Sequence, residues 1–204
     1  RGRPPPRGAR RARRRSGCWR GARAAASWAG GVDGAWVPTI DGVELPAQGP
    51  GYQSIRRYRK RYFGHPRLVR FVETLASDLK DRGFPDILVG DMSQVRGGPL
   101  PYGHRSHQLG LDVDLWFTKP IKKKRNDDKY FKSLVDLHKE TIDRSVWTER
   151  IPQTLKTAAD HPQVARIFVH WVIKNELCKV AGDDRDWLRK IRPWWGPSRH
   201  FHVR

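Results

Sequence analysis

A chain of 204 residues with 37% hydrophobic residues is long enough for one domain with a sizeable core plus a tail. It contains no apolar run of about 18 residues, which excludes a transmembrane helix within it. The formal net charge of +20 is unevenly placed, because residues 1–23 hold ten Arg and no acid.

That basic block repels itself and is rich in Pro and Gly, so residues 1–33 are expected to be a disordered tail. Such a tail either adheres to polyanions or is simply solvated. The chain starts at Arg1 rather than Met and shows no full signal peptide, so its natural start is expected to be missing or processed. Residues 34–50 read as a linker or extended arm, and residues 51–204 as the folded domain.

From Pro66 to Asp81, the residues Leu68, Val69, Phe71, Val72, Leu75, Ala76 and Leu79 recur at helical spacing. Pro66 suits the first helical turn and Gly83 the C-terminal cap. Ile87-Leu-Val89 predicts a buried strand, and residues 95–103 a loop. Leu109, Leu111, Val113, Leu115 and Phe117 alternate with Gly110, Asp112, Asp114 and Trp116, which predicts a strand with one buried face. Residues 119–129 predict a charged, solvated loop. Helices are expected at 130–140, 151–159, 174–181 and 184–191, and strands at 166–170 and 200–204. Helices and strands without regular βαβ alternation predict an α+β fold.

Cys18 and Cys178 are 160 residues apart, which excludes a zinc finger or a redox pair. A structural disulfide, a buried thiol and a partner beyond the chain all remain open.

The chemistry concentrates in two places. One is the run Gly103-His-Arg-Ser-His-Gln-Leu-Gly-Leu-Asp-Val-Asp-Leu-Trp116, with His107 and Asp114; the other is His200-Phe-His202. A His and a carboxylate close in sequence, with a distant His-x-His, supply the ligands of an open catalytic zinc site. Three protein ligands leave a fourth position for water, which zinc activates near neutral pH. The His107–Asp114 spacing is odd, so in one continuous strand the two side chains point to opposite faces. Both reach one metal only if His107 lies in a loop or the strand bulges, and Gly110 permits the bend. Asp112 either supports the site or faces solvent. His200 and His202 share a strand face, so one can ligate while the other acts as general base or transition-state donor. A Ser106–His–Asp triad lacks a Gly-x-Ser-x-Gly elbow.

The run from Gly103 to Trp116, with Arg192-Pro-Trp-Trp-Gly196 and His200-Phe-His-Val-Arg204, resembles the penicillin-insensitive murein endopeptidases. Phe63-Gly-His-Pro66, Leu88-Val-Gly-Asp-Met92 and Asp184-Arg-Asp-Trp-Leu-Arg-Lys190 echo the same family. The resemblance covers roughly residues 50–204, making residues 51–204 a zinc peptidase domain whose C-terminal end is cut short. It implies a periplasmic zinc hydrolase that cuts the D-alanyl–meso-diaminopimelyl cross-link of peptidoglycan. By the same resemblance His107, Asp114 and His202 ligate one Zn2+, His200 is the base or transition-state stabiliser, and His104 lines the site. The implied fold is a small, mainly antiparallel sheet flanked by helices, similar to D-alanyl-D-alanine carboxypeptidases, lysostaphin-type enzymes and the hedgehog fold.

Two departures stand out. Some family members carry an active-site histidine where this chain has Pro197, so activity is lower or Arg199 substitutes in charge stabilisation. The family's further cysteines lie beyond this chain, so no Cys18–Cys178 bond is expected. Trp194 and Trp195 either stack on substrate or pack in the core, and Arg192 and Arg204 either meet substrate carboxylates or remain surface charge.

The alternatives are a zinc D,D-carboxypeptidase, a catalytically impaired wall-binding protein, and a basic nucleic-acid-binding protein. The globular part carries no nucleic-acid motif, so contact with nucleic acid is expected only nonspecifically, through the tail.

Overall fold

A computed structural model of the chain describes residues 41–119 and 130–204. The expected tail at 1–33 and nearly all of the charged loop at 119–129 lie outside the described residues.

Eleven strands and three α-helices are present among the described residues. Four short strands come first, β1 (Val43–Glu44), β2 (Gln48–Gly49), β3 (Tyr52–Ser54) and β4 (Phe63–Gly64). Helix α1 (Pro66–Asp81) follows, then β5 (Ile87–Val89), β6 (Val113–Trp116), β7 (Val135–Asp136) and β8 (Thr141–Ile142). Helix α2 (Arg150–Asp160), β9 (Ile167–His170), helix α3 (Trp171–Val180), β10 (Ile191–Trp194) and β11 (His200–Val203) complete the chain.

Seven strands form one sheet in the order β10-β9-β11-β6-β5-β3-β2. The β10–β9 and β5–β3 pairs are parallel and the other four antiparallel. The α+β expectation holds, with a mainly antiparallel sheet.

Strand alternation gives this sheet two chemically different faces. Val113 and Leu115, Phe201 and Val203, and Ile167 and Val169 turn to one face and join the main core with the buried sides of α1, α2 and α3. Asp114 and Trp116, His200 and His202, and Phe168 turn to the other. The hydrophobic face anchors the sheet, and the opposite face carries the polar cluster.

Helix α1 matches its sequence pattern. All seven predicted apolar positions are buried, Pro66 opens the helix and His65 Nδ1 accepts a hydrogen bond from Arg67 N–H at 3.1 Å. Gly83 ends it with φ 75°, a left-handed conformation that suits glycine. Part of the expected linker belongs to the packed structure: β1 pairs with β4, and Leu45 is fully buried.

Three expectations need correction. The 109–117 alternation forms a strand only from Val113 to Trp116; Leu109 and Leu111 are exposed, whereas Asp112 and Asp114 are buried. Residues 130–140 are not helical. Ser133 Oγ donates to Val135 O and accepts from Val135 N–H, and Asp136 Oδ1 accepts from the N–H groups of His138 and Lys139. These short polar side chains give the backbone partners that compete with a helix. The expected helix at 184–191 is a 3-10 turn, Asp186–Arg189, followed by the edge strand β10 with Pro193 on it. Cys178 is disulfide-bonded, which rules out the buried free thiol; the other cysteine, Cys18, lies outside the described residues.

Candidate metal centre

Asp114 and His202 are Cα partners across β6 and β11, and their side chains meet with Oδ1 3.0 Å from Nδ1. His107 arrives from the loop before β6, as its odd spacing from Asp114 requires. That loop turns through Gly110 at φ 64°, and Gly110 O accepts from His65 N–H at 2.8 Å, which ties it to the start of α1. His107 itself takes φ 65°, uncommon for a non-glycine residue.

The result is a triangle of donor atoms. His107 Nε2 lies 3.1 Å from His202 Nδ1 and 3.4 Å from Asp114 Oδ1. With metal–ligand bonds of about 2.0–2.1 Å, ligands of a tetrahedral zinc are about 3.3 Å apart. Edges of 3.0–3.4 Å are compatible with one ion between the three residues. Two facing imidazole nitrogens beside a carboxylate share at most one proton between the rings, an electron-rich arrangement suited to a cation. His104, His107 and Asp114 also place one donor atom each within 4.8 Å of one another. His202 gives a second candidate set, with contacts near 3 Å to both His107 and Asp114.

Burial and charge set the protonation of each group. Burial lowers the pKa of His107, leaving its ring neutral as a ligand must be. Burial alone raises Asp114, but electrostatic interaction with the His107 and His200 rings and hydrogen bonds from His107 and His202 overcome it and hold the carboxyl well below its usual value. Burial alone lowers His202, yet its hydrogen bonds and attraction to Asp112 and Asp114 raise it to about 9. In the absence of metal that ring is charged, and an ion takes the proton's place.

His200, two residues before His202, lies beside this triangle. Its Nε2 is 3.8 Å from Asp114 Oδ2, its ring centroid is 5.1 Å from that of Trp116, and its Nδ1 is buried without a partner. Burial lowers its pKa, so it is a neutral base beside the donor triangle. His104 Nε2 lies 3.4 Å from Asp114 Oδ2 and 3.3 Å from Asp91 Oδ2.

Sequence reasoning missed one carboxylate behind this cluster, Asp91, and left the role of the other, Asp112, open. Asp91 is 1% exposed and pairs with Arg59 Nη1 at 2.7 Å and Arg61 Nη1 at 2.9 Å, besides facing His104. Its position directly after β5, in Leu88-Val-Gly-Asp-Met92, was the available signal. Asp112 does not face solvent. It is fully buried and accepts from His202 Nε2 at 3.1 Å, His107 N–H at 3.1 Å and Arg204 Nε at 2.9 Å. Arg204 is thus engaged inside the protein. Trp194 is half-buried and Trp195 is 79% exposed, so neither is core. Pro197 is buried with its carbonyl accepting His170 N–H, and Arg199 Nε donates to Phe131 O.

All five expected site residues, His104, His107, Asp114, His200 and His202, meet in this one cluster. No helix among the described residues is long and apolar enough to cross a membrane.

Residues 38–204 match the family described as penicillin-insensitive murein endopeptidase. The chain is 44% identical over 168 residues to the penicillin-insensitive murein endopeptidase of Haemophilus influenzae, covering 81% of this chain and 59% of that protein. It is 42% identical over 169 residues to the protein of that name from Klebsiella pneumoniae, covering 81% and 62%. With the one from Escherichia coli O157:H7 it shares 42% over 164 residues, covering 78% and 60%. The chain therefore spans about three fifths of the length of the curated relatives it matches.

Proposed function

The chain belongs to the penicillin-insensitive murein endopeptidase family, and from that premise we propose that it is a zinc-dependent endopeptidase cutting D-alanyl–meso-diaminopimelyl cross-links of peptidoglycan in the periplasm. The observation that carries this reading is the donor triangle of His107, Asp114 and His202, whose edges of 3.0–3.4 Å suit a single zinc ion.

His107, Asp114 and His202 would hold the ion. A zinc ion bound there would supply Lewis-acid polarisation of the scissile carbonyl and a water of lowered pKa. His200, kept neutral by burial, would act as the base that takes a proton from the attacking water and returns it to the departing amine. His104, between Asp91 and Asp114, lines the approach and orients the substrate. Trp116 supports His200 from the same sheet face, packed between Phe131 and the guanidinium of Arg56.

Purified cross-linked muropeptide dimers test this reading by product mass. Conversion of dimers into two monomers is the expected result. Loss of a single D-alanine from an otherwise intact dimer overturns it in favour of a carboxypeptidase.

A further inference from the structure

Taking His107, Asp114 and His202 as the zinc ligands proposed above, we infer that Asp112 is a positioning residue for two of the three at once, itself clamped by Arg204. It does not touch the ion's seat. Its two oxygens instead reach the back of one ligand and the backbone of another.

The first contact fixes a ring. His202 turns Nδ1 to Asp114 and Nε2 to Asp112 Oδ1, 3.1 Å away. A neutral imidazole carries one proton. With that proton on Nε2 and donated to Asp112, the Nδ1 lone pair is free to ligate. Without a carboxylate behind it, the ring has no reason to keep its proton on Nε2, and the other tautomer points N–H at the ion.

The second contact fixes a loop. Asp112 Oδ2 accepts the backbone N–H of His107 at 3.1 Å, closing a turn from His107 to Asp112 around Gly110. His107 is fully buried at φ 65°, so its N–H needs a partner and its backbone needs to be held. The same carboxylate therefore sets the tautomer of His202 and the reach of His107.

Arg204 completes the arrangement. Its Nε lies 2.9 Å from Asp112 Oδ1 and its Nη2 3.4 Å from Oδ2, so the guanidinium spans both oxygens. Donors thus approach both oxygens of Asp112. An asparagine offers only one oxygen, so Asp112→Asn sets its NH2 group against a donor on one side while keeping nearly the same volume.

The test uses apo protein, wild type and Asp112→Asn, with zinc affinity read by competition against a chromophoric chelator. Asp112→Asn is expected to bind zinc about 10- to 100-fold more weakly, the usual effect of losing a carboxylate behind a ligating histidine. In zinc-loaded protein, nitrogen NMR of the imidazoles is expected to show the His202 Nε2 proton protected from exchange in wild type and exposed in the variant. A purely structural role lowers thermal stability without changing that proton. Zinc binding within twofold of wild type, or unchanged exchange at His202, overturns the inference. If Asp112→Asn does not fold, Arg204→Gln replaces it, and unchanged His202 exchange there overturns the inference equally. Wild-type protein that binds no zinc overturns the ligand set and this inference together, whereas wild-type binding with an indifferent Asp112→Asn removes only the latter.

Discussion

His202 and Asp114 face each other across antiparallel β11 and β6, with Nδ1 3.0 Å from Oδ1. Strand register thus fixes one edge of the donor triangle, and a one-residue slip of either strand turns its side chain to the helix-covered face. Hydrophobic burial enforces that register, because Val113, Leu115, Phe201 and Val203 occupy the alternate positions and are essentially inaccessible to solvent.

Removing either member of this pair is expected to abolish the metal seat. His202→Ala and Asp114→Asn should each lose zinc affinity by more than the ~100-fold typical of changes behind the ligands. Titration of apo protein with zinc checks this. Wild-type affinity in either variant contradicts the assignment.

His200→Ala separates catalysis from metal binding. Its Nε2 is 3.8 Å from Asp114, too far for a hydrogen bond, and it is not part of the donor triangle. Turnover should fall about 10²- to 10⁴-fold, the usual contribution of a positioned acid–base group. The variant should still bind one zinc ion per chain, as measured by elemental analysis beside the turnover assay.

Asp91 is a joint in the fold as well as a neighbour of His104. Asp91→Asn leaves the guanidinium of Arg61, 3% exposed, without its carboxylate, and weakens the hold on Arg59. Breaking a buried pair of this kind costs about 3–5 kcal/mol. Urea unfolding of the variant should show a loss of that order, and a change under about 1 kcal/mol contradicts the reading of a buried ion-paired hub.

Lys174 gives the fold a pH dependence of its own. It is 5% exposed, donates to Leu188 O at 2.6 Å, and burial, with repulsion from Arg192 and Arg185, lowers its pKa from 10.5 to about 8. Between these values the unfolded chain holds a proton that the folded chain has released, so stability rises with pH. Below pH 8 both states are protonated and the burial cost is borne in full. Compared with Lys174→Met, wild type should therefore gain on the order of 3 kcal/mol between pH 7.5 and pH 10.5. Urea titrations of both proteins across that range measure the difference. A constant gap indicates that Lys174 titrates alike in both states.

The sequence revealed most where periodicity and capping agree. Pro66, the seven apolar positions and Gly83 delimit α1 to the residue. The odd His107–Asp114 spacing, with Gly110 between, correctly required a loop, because a period of two leaves no other way to bring the side chains together. Apolar alternation misled between Leu109 and Asp112, where a polar turn around the cluster outweighs burial of exposed Leu109 and Leu111. Asp91 was hidden, and Asp112 left undecided, for a related reason. Acidic residues are usually solvated, and only the convergence of His104, His107, His202, Arg59, Arg61 and Arg204 from distant parts of the chain explains their burial.

A metal-dependent peptidase centre built on His107, Asp114 and His202 is tested most directly by turnover of cross-linked muropeptide dimers by folded protein, first treated with a chelator and then titrated with zinc. Chelation is expected to stop cleavage, and activity to return in proportion to zinc up to one equivalent. Cleavage that persists in metal-free protein, or zinc-loaded protein that leaves the dimers intact, contradicts it.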